Sequence, residues 1–204
     1  VADKETARLE AFSDGVFAIA ITLLIIEVHV PEVEGGGAAL GRALLELWPS
    51  FFAFGLSFAT ILIMWMNHHA MFAWVERANG PVFVSNGFLL LAITALPFST
   101  ALLGDYLGHA GERMAAAVYA AHLVVISLGF AWAWNSMASR RALLAPRLPK
   151  DEVDRTNRYI FASFLLYSAA CGLAWWSAVA SMTLTLLLAA FWTWNVYRRY
   201  KVME

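Results

Sequence analysis

The chain has 204 residues, of which 61% are hydrophobic and 14% charged, with nine tryptophans and a formal net charge of −1. Together with a mean hydropathy of +0.64, that balance excludes an ordinary soluble globular domain and indicates an integral membrane protein. The single cysteine, Cys171, excludes a disulfide framework and a thiolate metal site, and no nucleic-acid partner is expected.

Six apolar runs are long enough to cross roughly 30 Å of hydrocarbon: 10–31, 47–73, 82–104, 114–136, 157–178 and 182–198. The expected fold is all-α, with residues 1–204 forming one six-helix transmembrane domain. The first run is read as a retained helix and not a cleaved signal peptide. It is long, carries charges near its start and has no small-residue cleavage site at a suitable place. Within it stand Ser13 and Asp14. An ionisable group in hydrocarbon is costly and usually tied to function, so Asp14 needs a partner. At about 100° per residue, Gly15, Ile19, Leu23 and Ile26 share one face, Thr22 lies at its edge, and Glu10 and Asp14 point away. By spacing alone this stripe reads as lipid or core packing, with a pore lining as the alternative. Glu27 falls on its flank, near +80° when Ile19 is taken as zero. It reads either as part of an outer cation-attracting ring or as an interfacial charge beside His29.

Pro31 and the Gly35-Gly36-Gly37 run end the first span. The second span returns across the membrane. At about 1.5 Å rise per residue, Trp65 and His68 reach the level of Ser13 and Asp14, as does Asn86 of the third span. The expectation is a hydrogen-bonded layer in which Asp14 accepts from the Trp65 indole or from a histidine ring. Such a layer locks the first helix by its back. Of the neighbours His68 and His69, one is assigned to this layer and the other to the interface. About 100° apart on a helix, they do not converge on one metal. Haem ligation by His68 and His122 is an alternative with no local motif behind it.

Further along, Asn79-Gly80-Pro81 marks a tight turn, Pro97 is expected to kink the third span, and Pro146 and Pro149 break the loop between the fourth and fifth. Eight of the nine tryptophans fall near span ends and read as interfacial belts, Trp65 being the deeper exception. Twelve of the 14 Lys and Arg residues lie on one side of this arrangement. They include Arg77, six residues of the 137–158 loop, and Arg198, Arg199 and Lys201. Arg42 and Arg113 lie opposite, so both termini are expected in the cytoplasm. Glu32, Glu34, Glu46, Asp105 and Glu112 gather in the outer connections, as solvated loop charges or as a mildly cation-attracting vestibule.

The segment Arg8 to Leu23, RLEAFSDGVFAIAITL, resembles the signature of the transmembrane protein 175 family of potassium channels. Arg8 and the Phe12-Ser13-Asp14 triplet are its diagnostic part. Trp65 with Asn67-His68-His69 is a second match, and a six-span chain of this length looks like the prokaryotic form. The resemblance implies a homotetramer in the prokaryotic plasma (inner) membrane, with the first helix of each subunit lining a central pore and no carbonyl filter. By motif position it implies that Ile19 is the narrowest ring, Leu23 and Ile26 the hydrophobic rings outside it, and Thr22 the hydroxyl associated with potassium preference. Arg8, Phe12, Ser13 and Asp14, with Trp65, His68 and Asn86, would form the structural network.

The partners so implied are further copies of the chain, the lipid bilayer and permeating potassium, without a cofactor, a metal site or enzymatic activity. Two other classes compete: a redox or metal protein using His68, His69 and His122, and a proton-coupled carrier around Asp14. Against the carrier, no repeat pair or interrupted helix pair is seen. Against an enzyme, no nucleophile, base and orienting residue share a plausible site.

Overall fold

The computed structural model describes the backbone of residues 2–203 and the side chains of residues 4–195. The side chains of Arg198, Arg199 and Lys201 lie outside the described residues. The described chain forms α1 (Ala2–Leu23), α2 (Gly37–Glu46), α3 (Trp48–Phe72), α4 (Gly80–Thr94), α5 (Leu96–Tyr106), α6 (Glu112–Ala138), α7 (Lys150–Ala174) and α8 (Ala178–Met203). Short 3₁₀ turns follow α1 at Leu24–Glu27 and α6 at Arg141–Leu143.

Among the described residues, five segments are long and apolar enough to cross a membrane: Lys4–Glu27, Trp48–Phe72, Gly80–Tyr106, Glu112–Ala138 and Ala178–Asn195. α7 holds the remaining expected span and is 25 residues long. It falls outside that set because its first turns carry Lys150, Asp151, Glu152, Asp154, Arg155 and Arg158. It lies against α6 and α8, and α8 in turn reaches back to α3.

α1 presents Leu9, Ser13, Phe17 and Ala20 to α3, α4 and α5, the turn after it continues the face with Leu24, and all five are buried. Their spacing by three and four residues is that of one helix face. The helix ends earlier than the apolar run that encodes it. Thr22 Oγ1 donates to the carbonyls of Ala18 at 3.0 Å and Ile19 at 2.9 Å. This hydroxyl competes for acceptors of the i−4 ladder, and the chain tightens into the 3₁₀ turn directly afterwards. At about 120° per residue, that turn carries Glu27 away from the flank of the stripe towards the bundle, where it is half-buried.

Pro97 acts as expected. It has no N–H to give the Ile93 carbonyl, and the residues before it leave the helical path at Ala95, so the third span consists of α4 and α5. The break is held from outside. The His122 Nε2–H of α6 donates to the Ala92 carbonyl at 2.8 Å, and the Ser99 hydroxyl lies 2.6 Å from Nδ1. A buried trio fixes α3, α5 and α6 together: Thr100 Oγ1 donates to Ser57 Oγ at 2.7 Å, and Ser57 Oγ lies 3.0 Å from the Tyr119 hydroxyl.

At the end of α3, the Asn79 carboxamide caps α4 by accepting from Val82 N at 3.1 Å, with Pro81 in the first turn. This connection pairs with the one after α6. Ala145 N donates to the Trp74 carbonyl and Glu76 N to that of Leu143, each at 2.9 Å. The connection between α1 and α3 contains α2, an amphipathic helix with no buried residue. Two tryptophans expected in the interfacial belts, Trp134 and Trp192, are instead buried among α3, α6, α7 and α8.

Candidate functional site

The polar residues of α1, α3 and α4 meet at one level, in two separate arrangements. The inner one is a directional chain. His68 Nε2–H donates to Asn86 Oδ1 at 2.9 Å, Asn86 Nδ2 donates to Ser13 Oγ at 2.9 Å, and the Ser13 hydroxyl donates to the Leu9 carbonyl at 2.8 Å. All three side chains are fully buried. The amide of Asn86 sets the histidine tautomer, and the ring is held between Phe72, stacked at 4.4 Å, and Phe17, tilted at 5.3 Å. Each helix supplies one member, so the chain fixes both the rotation and the depth of α1 against its neighbours.

The second arrangement lies towards the surface. Asp14 Oδ1 accepts from the Trp65 indole at 2.9 Å. One turn before it, Glu10 Oε1 is 3.1 Å from His69 Nδ1, and the His69 ring stacks on Trp65 at 6.1 Å. Of the partners considered for Asp14, the indole is therefore the one engaged, and neither histidine contacts the carboxylate. His68 belongs to the inner chain and His69 to the exposed pair.

Arg8 and Phe12, expected in the same network, stand apart from it. They are about 140° and 100° around the helix from Ser13, on the exposed face, where Phe12 is 63% exposed. A helix that buries Ser13 turns both outward. The same face carries Ile19, Leu23 and Ile26, exposed by 58%, 40% and 66%, with Gly15 and Thr22 also open. The stripe is thus open along its length, while the opposite face is held by hydrogen bonds. Because the Thr22 hydroxyl donates to its own backbone, the oxygen lone pairs remain for a group outside the helix.

The three histidines of the metal or haem alternative do not converge. Both ring nitrogens of His122 are engaged at the Pro97 break, His69 pairs with Glu10, and His68 is enclosed by two phenylalanines. Sequence reasoning missed the role of His122 in that break, the helical character of α2, and a cavity behind α3. The available signals for the first were a proline within an apolar span and a histidine within another that had no partner assigned in the sequence.

Membrane-length helices, and a first helix locked on one side and open on the other, define a multi-pass helical membrane protein. The family model described as the endosomal/lysosomal potassium channel TMEM175 matches residues 8–97, the stretch that contains every member of both polar arrangements. A potassium channel of Chamaesiphon minutus is 46% identical over 191 residues, covering 92% of this chain and 93% of that one. A potassium channel of Streptomyces collinus is 38% identical over 192 residues, covering 94% and 93%. Among solved structures, the crystal structure of a lysosomal potassium-selective channel TMEM175 homolog from Chamaesiphon minutus superposes with a TM-score of 0.86 at 40% identity. It covers 95% of this chain and 98% of that one. The chain belongs to the TMEM175 family, which is a family of ion channels and not of enzymes.

Proposed function

We propose that this chain forms a potassium channel in which four copies surround a pore lined by α1, the hydrophobic constriction being made by Ile19, Leu23 and Ile26. Relatives covering nearly the whole chain are potassium channels, which supports the ion. The observation that carries the pore assignment is the open face of α1 with the Thr22 hydroxyl on it, opposite the locked Ser13–Asn86–His68 side. An apolar face alone is equally at home against lipid. A hydroxyl whose lone pairs point outward, on a helix whose rotation is fixed, has a use in an ion path. One helix cannot enclose a pore, but closed rotational symmetry brings copies of one stripe together.

In this reading α7 is the sixth span, and the basic connections and both termini are cytoplasmic in a prokaryotic plasma membrane. Residues 1–204 then form one channel domain. A narrow ring of branched aliphatic side chains expels water when constricted, so the pore opens and closes by wetting. An ion passing it sheds part of its hydration. Potassium, the larger ion, does so at lower cost than sodium, and Thr22 replaces part of what is lost. The preference that results is weak compared with that of a carbonyl filter.

The test is the reversal potential in planar bilayers under opposed potassium and sodium gradients. The native chain should reverse on the potassium side of zero and Thr22→Ala closer to zero. A selectivity untouched by Thr22→Ala removes the hydroxyl from the ion path.

A further inference from the structure

A cavity of about 110 Å³ lies between α3, α6, α7 and α8. It is several times the size that one water requires, roughly 10–15 Å³. None of the residues of the polar layer or of the open α1 face lines it. Its wall is largely apolar and includes aromatic and thioether side chains, Met64 and Met71 from α3, Phe130 from α6, Tyr159 from α7 and Trp192 from α8 among them. Such surfaces accommodate ring-shaped ligands of varied outline.

Two lining residues carry buried polar atoms with no hydrogen-bond partner: Ser127 Oγ and Trp192 Nε1. The residues are 5% and 7% exposed. Their neighbours in the same wall behave differently. Thr60 and Ser163 return their hydroxyls to carbonyls of their own helices, at 2.7 and 2.9 Å, and the Trp134 indole donates to Asn157 Oδ1 at 2.9 Å. A buried donor left unpaired is costly, and here two such groups belong to one space large enough to hold a partner. Glu152, the charged residue of the wall, is already joined to Arg155. No other charged residue lines the wall, so an ionised ligand would find no counter-charge there.

We propose that this cavity is a binding site for an uncharged amphiphile with a ring-sized apolar body and a hydroxyl or carbonyl oxygen. That oxygen accepts from the Trp192 indole N–H, and the Ser127 hydroxyl is the second polar contact. Binding here is independent of conduction through α1.

The test uses the full chain in nanodiscs, with radiolabelled 2-naphthol as the probe, empty nanodiscs subtracted, and naphthalene affinity measured by displacement. Binding should saturate at one probe per chain. Trp192→Phe should weaken 2-naphthol about fivefold, the equivalent of one net hydrogen bond, and leave naphthalene unchanged. Ala189→Leu, which fills the cavity from α8, should abolish both while the thermal unfolding transition is retained. If no binding saturates above empty nanodiscs, the cavity holds water only and the proposal is overturned. It is overturned equally if Trp192→Phe leaves the preference for 2-naphthol over naphthalene intact. Trp192→Phe decides the matter even where Ala189→Leu fails to fold.

Discussion

Asn86 is the residue on which the orientation of α1 depends most, because its amide is donor to Ser13 and acceptor from His68 within a fully buried site. Asn86→Ala orphans a histidine N–H and leaves Ser13 without its donor. It should destabilise the protein by about 1–2 kcal/mol, read as a lower thermal unfolding midpoint in nanodiscs. Trp65→Phe breaks a bond that is partly open to the surroundings and should cost about 0.5 kcal/mol. Equal losses for the two variants would mean that the layer acts as one unit. Much of this layer was legible in the sequence, since counting 1.5 Å per residue along antiparallel spans brings Ser13, Asp14, Trp65, His68 and Asn86 to one depth. Depth does not give azimuth between helices. For that reason the division into an inner chain and an outer pair, and the exclusion of Arg8 and Phe12, required the structure.

Among the helices, two close approaches and one break hold α3 to α6 together. A Cβ on Gly104 would stand 3.0 Å from the Ser50 backbone, and one on Gly129 would stand 3.3 Å from the backbone of Leu89. Neither helix can yield without moving as a whole, so Gly104→Ala should cost about 1–3 kcal/mol by overpacking α5 on α3. Thermal unfolding checks this, and a neutral result would show that the α3–α5 contact is looser than the structure has it. His122→Ala removes the donor to the Ala92 carbonyl beside the Pro97 break and should cost a similar amount. Its replacement by Asn should recover part of the loss. The proline announced a kink, but which side chain would reach a carbonyl at the break depends on the packing of α6 across α4. α2 was hidden for a different reason. It is short and has no buried residue, and its amphipathic sequence stands beside a glycine run that signals a loop.

In the assembled molecule, each chain is proposed to supply a quarter of the pore. The purified protein should therefore run as a tetramer in native mass spectrometry, and a stable monomer that still conducts would exclude the arrangement. Whether the open face of α1 meets the ion is decided by unitary conductance. Single-channel recordings in symmetrical potassium should give larger unitary currents for Ile19→Ala than for the native chain, because a narrow apolar ring is widened. Ile19→Cys should be blocked by a small thiol reagent added from the aqueous side. Unitary currents of native size in Ile19→Ala, together with an Ile19→Cys channel that the reagent leaves open, would contradict the pore assignment and put the conduction path elsewhere in the molecule.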